Sequence, residues 1–205
     1  SGSDGPSGRP AAAGVRAILP TAIVGMVGLV HGRHPVPSAF QRPGDVVLLI
    51  GRPAFYLRPE GWTVDFGFER QAIAFVAEAG RQGLLTSCHN VGRSGIAVAL
   101  CEAAFGAPGG ADGFEVDLPA LTDSVEALLF GAGGAAWVAS APPQSLPQLE
   151  ELARRAERAV PVRAIGRVIA GRLRLRVAGR GLCLDEPTAG LRSAWEHALE
   201  EAARP

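Results

Sequence analysis

GLLTSCHNVGRSGIAVALCEAAF, residues Gly83 to Phe105, is the stretch from which the fold can be read outward. Just before it, Phe68, Ala72, Phe75, Val76 and Ala79 recur at helical spacing, so Gly83 reads as the C′ glycine that stops a helix over Phe68 to Gln82. Leu84 to Cys88 then reads as a short strand running into the polar, glycine-bearing turn His89 to Gly95. A second helix follows from Gly95 to Phe105, ended by Gly106. A helix–strand–turn–helix order of this kind belongs to an α/β or α+β sandwich of mixed strands and helices.

Upstream, Gly44-Asp45 opens Val46-Val47-Leu48-Leu49-Ile50, a run apolar throughout rather than alternating, which predicts a strand covered on both faces. Ala22 to Val30 reads as a further β-type segment, and Ser1 to Gly14 as a Gly/Ser/Pro/Ala tail expected to be flexible. Downstream, Phe114, Val116 and Leu118 alternate as a half-buried strand over Gly113 to Leu118. Val125 to Phe130 fits a short helix or a strand equally, and Ala135 to Ser140 is a strand. Ser145, with Gln148 three residues on, reads as a capping box opening a helix. Val160 to Val168 and Arg172 to Val177 are expected to pair through the turn Ala170-Gly171, leaving Arg172, Arg174 and Arg176 on a solvated basic face. Thr188 to Ala202 is a closing amphipathic helix.

Composition narrows the function classes. Twenty basic residues balance twenty acidic ones over 205 residues, so nothing favours nucleic acid or an anionic membrane as partner. Every basic residue is Arg, which rules out a lysine phosphate grip or Schiff base within these residues. Cys88, Cys101 and Cys183 form no CxxC pair or Cys/His cluster, so no structural zinc is expected. An odd, widely spaced cysteine count fits a reduced compartment. The apolar run Ala17 to Val30, broken by Pro20 and Gly25, is too short to span a bilayer and no signal pattern is read, so the expectation is a cytoplasmic protein.

Three stretches resemble one family in order and separation. Ala17 to Leu29 (AILPTAIVGMVGL) resembles A-I-x-P-T-P-x-V-G-x-V-G-L, and Gly44 to Gly51 (GDVVLLIG) resembles G-D-x-I-x-L-L-G. Gly83 to Phe105 is similar to G-L-V-x-S-A-H-D-x-S-D-G-G-L-A-V-A-L-A-E-M-A-F. The strand Gly113 to Leu118 and the helix around Trp195-Glu196 follow in place. The family is the phosphoribosylformylglycinamidine synthases, and the resemblance covers roughly residues 15 to 203, over the C-terminal AIR-synthase-like domain. It implies an AIR-synthase-type C-terminal fold, a mixed β-sheet flanked by helices, and a place in purine biosynthesis: ATP-driven phosphoryl activation of an amide oxygen, then displacement by ammonia, with ATP and Mg²⁺ as the family's cofactors. The segment at Ala17 to Leu29 argues against the related AIR synthetase, selenophosphate synthetase, thiamine-phosphate kinase and hydrogenase-maturation dehydratase.

The sequence departs from the family pattern where the chemistry should be. His89 is kept, but the motif's first Asp is Asn90, its Ser is Gly92, its second Asp is Arg93, and its paired glycines are Ser94 and Gly95. Both carboxylates are gone; Asn90 is a weak Mg²⁺ ligand, and Arg93 suits a phosphate rather than a metal. In the second polar segment, L-F-S/G-E-x-x-S-R, the Glu is Ala132 and the Ser-Arg pair is Ala135-Ala136. The resemblance therefore implies no catalytic residue and no metal site in this chain, with His89, Asn90, Arg93, Ser94 and Gly95 as the candidates for substrate or phosphate contact. Glu102 matches the family's helix Glu, read as an ion-pair member. His31 and His34 are spaced like a metal pair but lack a third ligand. The glycine-rich Gly106 to Gly113 follows a helix and precedes a strand, the reverse of a phosphate loop, and Gly131 to Gly134 is a weak candidate for anion contact.

The expected organisation is a tail over 1–14, a strand and linker over 15–42 bordering a preceding domain, and the AIR-synthase-like domain over 43–205. The expected partner is an ATP-binding N-terminal half or separate subunit, with a homodimer also possible on sequence grounds. The alternative is a free-standing pseudoenzyme that binds a partner or nucleotide without turnover. No cofactor is expected in this chain itself.

Overall fold

The structure, a computed structural model, describes residues 35–57 and 63–203, together with Ile23, Gly25 and Val27. Arg33–Pro205 forms one compact unit and Ser1–Gly32 another. The expected tail, most of the Ala22 to Val30 strand, and His31 and His34 lie outside the described residues; Ile23 and Val27 are exposed and belong to no strand.

The larger unit is built on one seven-stranded sheet in the order β2-β4-β1-β5-β3-β6-β7. Its strands are β1 (Val46–Gly51), β2 (Ser87–Asn90), β3 (Gly113–Leu118), β4 (Ala136–Ala141), β5 (Val162–Ile169), β6 (Arg172–Val177) and β7 (Gly181–Pro187). The helices are α1 (Phe66–Arg81), α2 (Gly95–Phe105), α3 (Val125–Phe130), α4 (Leu146–Arg155) and α5 (Thr188–Ala202). β1 explains its own composition. Val47 and Leu49 enter the core under α2 and α3, while Leu48 and Ile50 enter the core under α1 and α4. All four are fully buried, so a run without alternation is what this central strand requires.

α1 buries Phe68, Ala72, Phe75 and Ala79. Its N-terminus is capped by Asp65, whose carboxylate accepts from the Phe68 amide at 3.0 Å and from Arg158 at 2.7 Å. At its other end the Gly83 and Leu84 amides donate to the carbonyls of Gly80 and Ala79, a Schellman closure around the glycine the sequence marked. Val125 to Phe130 is a helix: the Ser124 hydroxyl accepts from the Ala127 amide at 3.1 Å, a local cap that settles what periodicity left open.

Three expectations need correction, and one strand was missed. The strand expected over Leu84 to Cys88 runs from Ser87 to Asn90, because Leu84 and Leu85 pack into the α1 core before pairing begins. Ser145 forms no capping box; the 3₁₀ turn Pro143–Ser145 runs straight into α4, leaving Ser145 already helical at φ −81°, ψ −14° with its side chain unbonded to the helix end. β7 was not anticipated. β5 and β6 do not pair: β3 lies between them, antiparallel to β5 and parallel to β6.

Burial and charge both fit that last arrangement: Phe114, Val116 and Leu118 of β3 are buried in the core. A direct hairpin through Ala170-Gly171 would set Arg167 opposite Arg174, a like-charge cross-strand pair. With β3 inserted, Glu115 stands between them, 2.6 Å from Arg167 Nη2 and 2.8 Å from Arg174 Nη1. The Ala170-Gly171 link crosses the start of β3 at Gly113, where a Cβ would collide with the backbone of Arg172. Asp112 pins the crossing: its carboxylate accepts from the Gly171 amide at 3.0 Å, and its carbonyl accepts from the Thr188 hydroxyl at 2.6 Å.

Candidate functional site

The end of β2 and the start of α2 carry the residues singled out in the sequence. His89 and Asn90 are strand residues, facing Val138 and Trp137 of β4 in register. The imidazole Nδ1–H donates to the Asn90 carbonyl at 2.8 Å, and Nε2 faces the Glu102 carboxylate of α2 at 3.4 Å. The pair ties strand to helix when the ring is protonated at both nitrogens, which accounts for Glu102 and gives His89 a partner within the chain. Asn90, Arg93 and Ser94 are exposed, and Ser94 precedes α2 without capping it through its side chain. Gly95 is buried at φ +81°, and a Cβ there would stand 2.5 Å from the Leu129 carbonyl oxygen.

That contact joins two places the sequence kept apart. Gly95 packs on the Leu129–Phe130 end of α3, and the Val91 amide donates to the Ala136 carbonyl at 2.9 Å. The turn after β2 and the segment Leu129 to Ala136 therefore meet at one end of the sheet, so the replacements at Asn90 and Arg93 and those at Ala132, Ala135 and Ala136 fall in one neighbourhood. The segment Arg52 to Tyr56 closes it. Ala132 exchanges backbone hydrogen bonds with Tyr56, and the Ala54 amide donates to Gly133. A Cβ at Gly134 would collide with the Arg52 carbonyl, so these glycines admit a second backbone rather than an anion. The Gly131 amide is also committed, to Ala127.

Gly106 to Gly113 is a connector: the amides of Gly106, Ala107 and Ala111 all bond to nearby carbonyls. Among the described residues no three His, Cys, Asp or Glu side chains come together as a metal would need. Mg²⁺ asks for hard oxygen ligands, and the motif positions offer Asn90 and Arg93 while Glu102 is engaged with His89, so these residues do not fit that ion. Arg93 and Ser94, exposed beside the start of an eleven-residue helix, do fit an anion. Cys88 and Cys101 flank the site as inert thiols, with burial pushing them up to about 12 and about 11.

Sequence reading missed two groups here. One is the hydroxyl cluster behind β2, in which Ser140 lies 2.6 Å from Ser87 and 2.8 Å from Thr86, and Thr86 donates to buried Asp45 at 2.7 Å. The available signal was three hydroxyl residues: Thr86 and Ser87 where β2 begins, and Ser140 within the apolar β4. The other is Arg52, whose guanidinium lies 4.2 Å over the Phe68 ring.

Comparison with known proteins places this geometry. Residues 42–178 match the family described as AIR synthase related protein, C-terminal domain. The chain is 32% identical over 210 residues to phosphoribosylformylglycinamidine synthase subunit PurL of Anaeromyxobacter sp. (strain Fw109-5), covering 91% of this chain and 26% of that protein. It is 33% identical over 205 residues to the same subunit of Synechococcus sp. (strain WH7803), covering 89% and 26%. The fold is similar to T. maritima PurL complexed with FGAR, with a TM-score of 0.62 at 17% identity over 77% of this chain and 29% of that one. T. maritima PurL complexed with ATP gives a TM-score of 0.62 at 20% identity, over 77% and 27%. The chain thus spans about a quarter of the length of these curated relatives. It belongs to the AIR synthase related protein C-terminal domain family, in the form carried by phosphoribosylformylglycinamidine synthase subunit PurL.

Proposed function

We propose that this chain is the C-terminal part of a phosphoribosylformylglycinamidine synthase-like protein of purine biosynthesis, and that it completes the site without supplying its chemistry. The observation behind this reading is the convergence of two polar segments at one end of the sheet, both without the family's carboxylates, around an exposed Arg93 and Ser94. In the family reaction ATP phosphorylates the amide oxygen of formylglycinamide ribonucleotide, and ammonia displaces phosphate to give the amidine. Arg93 and Ser94 would hold a phosphate of substrate or nucleotide, Asn90 would orient it by hydrogen bonding, and Gly95 would let α2 start close beneath it. The ATP and Mg²⁺ contacts would come from an ATP-binding N-terminal half, on the same chain or on a separate cytoplasmic subunit. Residues 15–42 would border that half, 43–205 would form the domain proper, and 1–14 would be a tail.

A second reading, a free-standing pseudoenzyme that binds a partner or nucleotide, is favoured by the same lost carboxylates. Native mass spectrometry of the protein captured from its own cells separates the two. An assembly that includes an ATP-binding chain, or a single polypeptide of about four times this mass, as the 26% share that this chain covers of its relatives gives, supports the synthase reading. A particle made only of this chain, whatever its copy number, sinks it and leaves the pseudoenzyme.

A further inference from the structure

The second face of the sheet is helix-covered over only half its width among the described residues. α1 and α4 pack on β1 and β4, while β5, β3, β6 and β7 turn charged side chains outward. The register sets Arg167, Glu115, Arg174 and Asp185 side by side across those four strands. Charge therefore alternates plus, minus, plus, minus along one rung, and each neighbouring pair is joined, at 2.6 Å, 2.8 Å and 3.4 Å in turn. Two residues further along β3 and β6, Asp117 lies opposite Arg176. Both are exposed, and neither has an ion-pair partner among the described residues. Beside them is a concavity of about 760 Å³, also lined by Arg163, Pro119 and Ala178.

A row that alternates in sign is its own complement after a half-turn. Take a two-fold axis in the plane of contact, parallel to the strands and midway between β3 and β6. It reverses the order of the row, so Arg167 faces Asp185, Glu115 faces Arg174, and Asp117 faces Arg176 of the second copy. An axis along the rung would set like charges together, so the pattern selects one packing. A uniformly acidic partner would meet Glu115, Asp117 and Asp185, and a uniformly basic one would meet the arginines. We propose that this half-face is an isologous docking surface for a second copy of the same chain, with Asp117 and Arg176 pairing across the two-fold axis.

The surface is small. Four strands about 4.8 Å apart and about six residues long at about 3.3 Å each give a flat area on the order of 400 Å² per copy. That is the range of weak, reversible association, held by charge and sensitive to salt. The inference uses none of the residues placed at the candidate site, so it stands or falls separately from the proposed function.

The test is sedimentation equilibrium of the 205-residue chain up to several hundred micromolar, at about 50 mM and about 0.5 M salt. Asp117→Arg, Arg176→Asp and the double exchange are compared with the parent. Neither residue has an ion partner among the described residues, so the fold should be untouched, which thermal melts verify. The expected result is a dimer at low salt that dissociates at high salt. Each single reversal should weaken it on the order of tenfold or more, because symmetry makes every reversal act twice, and the double exchange should restore it to near the parent value. A monomer throughout overturns the proposal. So does a dimer that the single reversals leave intact, or one that the double exchange fails to restore.

Discussion

Gly95 sits against Phe130 so closely that any Cβ at position 95 would lie 2.6 Å from the Phe130 Cα. The contact is backbone on backbone, and φ at Gly95 is +81°, so neither partner can yield cheaply. Gly95→Ala should cost about 3 kcal/mol or more, the sum of left-handed strain and overpacking. Urea unfolding monitored by circular dichroism measures it. A loss under about 1 kcal/mol would mean that α2 and α3 are not in van der Waals contact here.

Thr86 is the hydroxyl that reaches buried Asp45, at 2.7 Å, and it also touches Ser140. Thr86→Val keeps the shape and removes the donor, so it should destabilise by about 1–3 kcal/mol. Thr86→Ser should recover most of that, and the difference between the two variants in urea midpoint isolates the hydrogen bond from the packing.

The three thiols should separate by reactivity. Cys183 is exposed, whereas burial pushes Cys88 up to about 12 and Cys101 up to about 11, Cys101 also being raised by the neighbouring Glu102 charge. Iodoacetamide at mildly alkaline pH should add one label per native chain, at Cys183, and three after unfolding. Rapid native labelling at Cys88 would show that the cover over β2 opens.

Glu78 accepts from Arg81 and Gln82 at the end of α1, and these hydrogen bonds hold its carboxyl down to about 2 from 4.5. A carboxyl held low favours the folded chain above its ordinary value, and that contribution fades as pH falls from 4.5 through about 2. Glu115 and Asp185 are lowered for the same kind of reason, by Arg174 with Arg167 and by Arg172 respectively, so acid should weaken the charged half-face as well. Side-chain carbon NMR titration of the parent and of Arg81→Gln should show the Glu78 midpoint move back toward the ordinary carboxylate range. An unmoved midpoint would assign the depression to something other than this pair.

Arg93 is exposed with no partner among the described residues, so Arg93→Ala should leave the melting curve within about 0.5 kcal/mol of the parent. If it holds a phosphate, the variant in the assembled enzyme should raise KM for the phosphate-bearing substrate by about tenfold or more, with Arg93→Lys recovering part of the loss. Equal KM values in parent and variant would remove Arg93 from the site.

Local structure was legible where it depends on local chemistry. The bounds of α2 and α5 follow from their glycine and threonine punctuation, and the unbroken apolar run of β1 announces a strand with two covered faces. β7 was not legible: Gly181 to Pro187 is mostly exposed and irregular in its pairing with β6, so it lacks an alternating apolar stripe. Strand order was hidden for a different reason. β3 enters between β5 and β6 from 52 residues before Arg167, where Glu115 meets one arginine of each, and nothing local to any of the three strands records that. At the site, the residues themselves could be listed from the motif. That His89 would take Glu102 as its partner, and that the Asn90–Gly95 turn would meet Leu129 to Ala136, are matters of packing across the sheet.

The crossing over Gly113 also bears on how the chain acquires its shape. β5 and β6 are joined by two residues, the shortest of links, so their quickest encounter is a hairpin with each other, and that hairpin is wrong. The strand that must come between them brings Glu115 from 52 residues before Arg167. Loop closure makes that encounter the slower one. In that hairpin Arg167 and Arg174 would stand opposite each other, and their repulsion would weaken the fast product by up to about 1 kcal/mol. Exchanging Arg167 for Glu should remove that protection, and refolding should then divert a fraction of chains into a mispaired state that stopped-flow fluorescence would register as a lost amplitude.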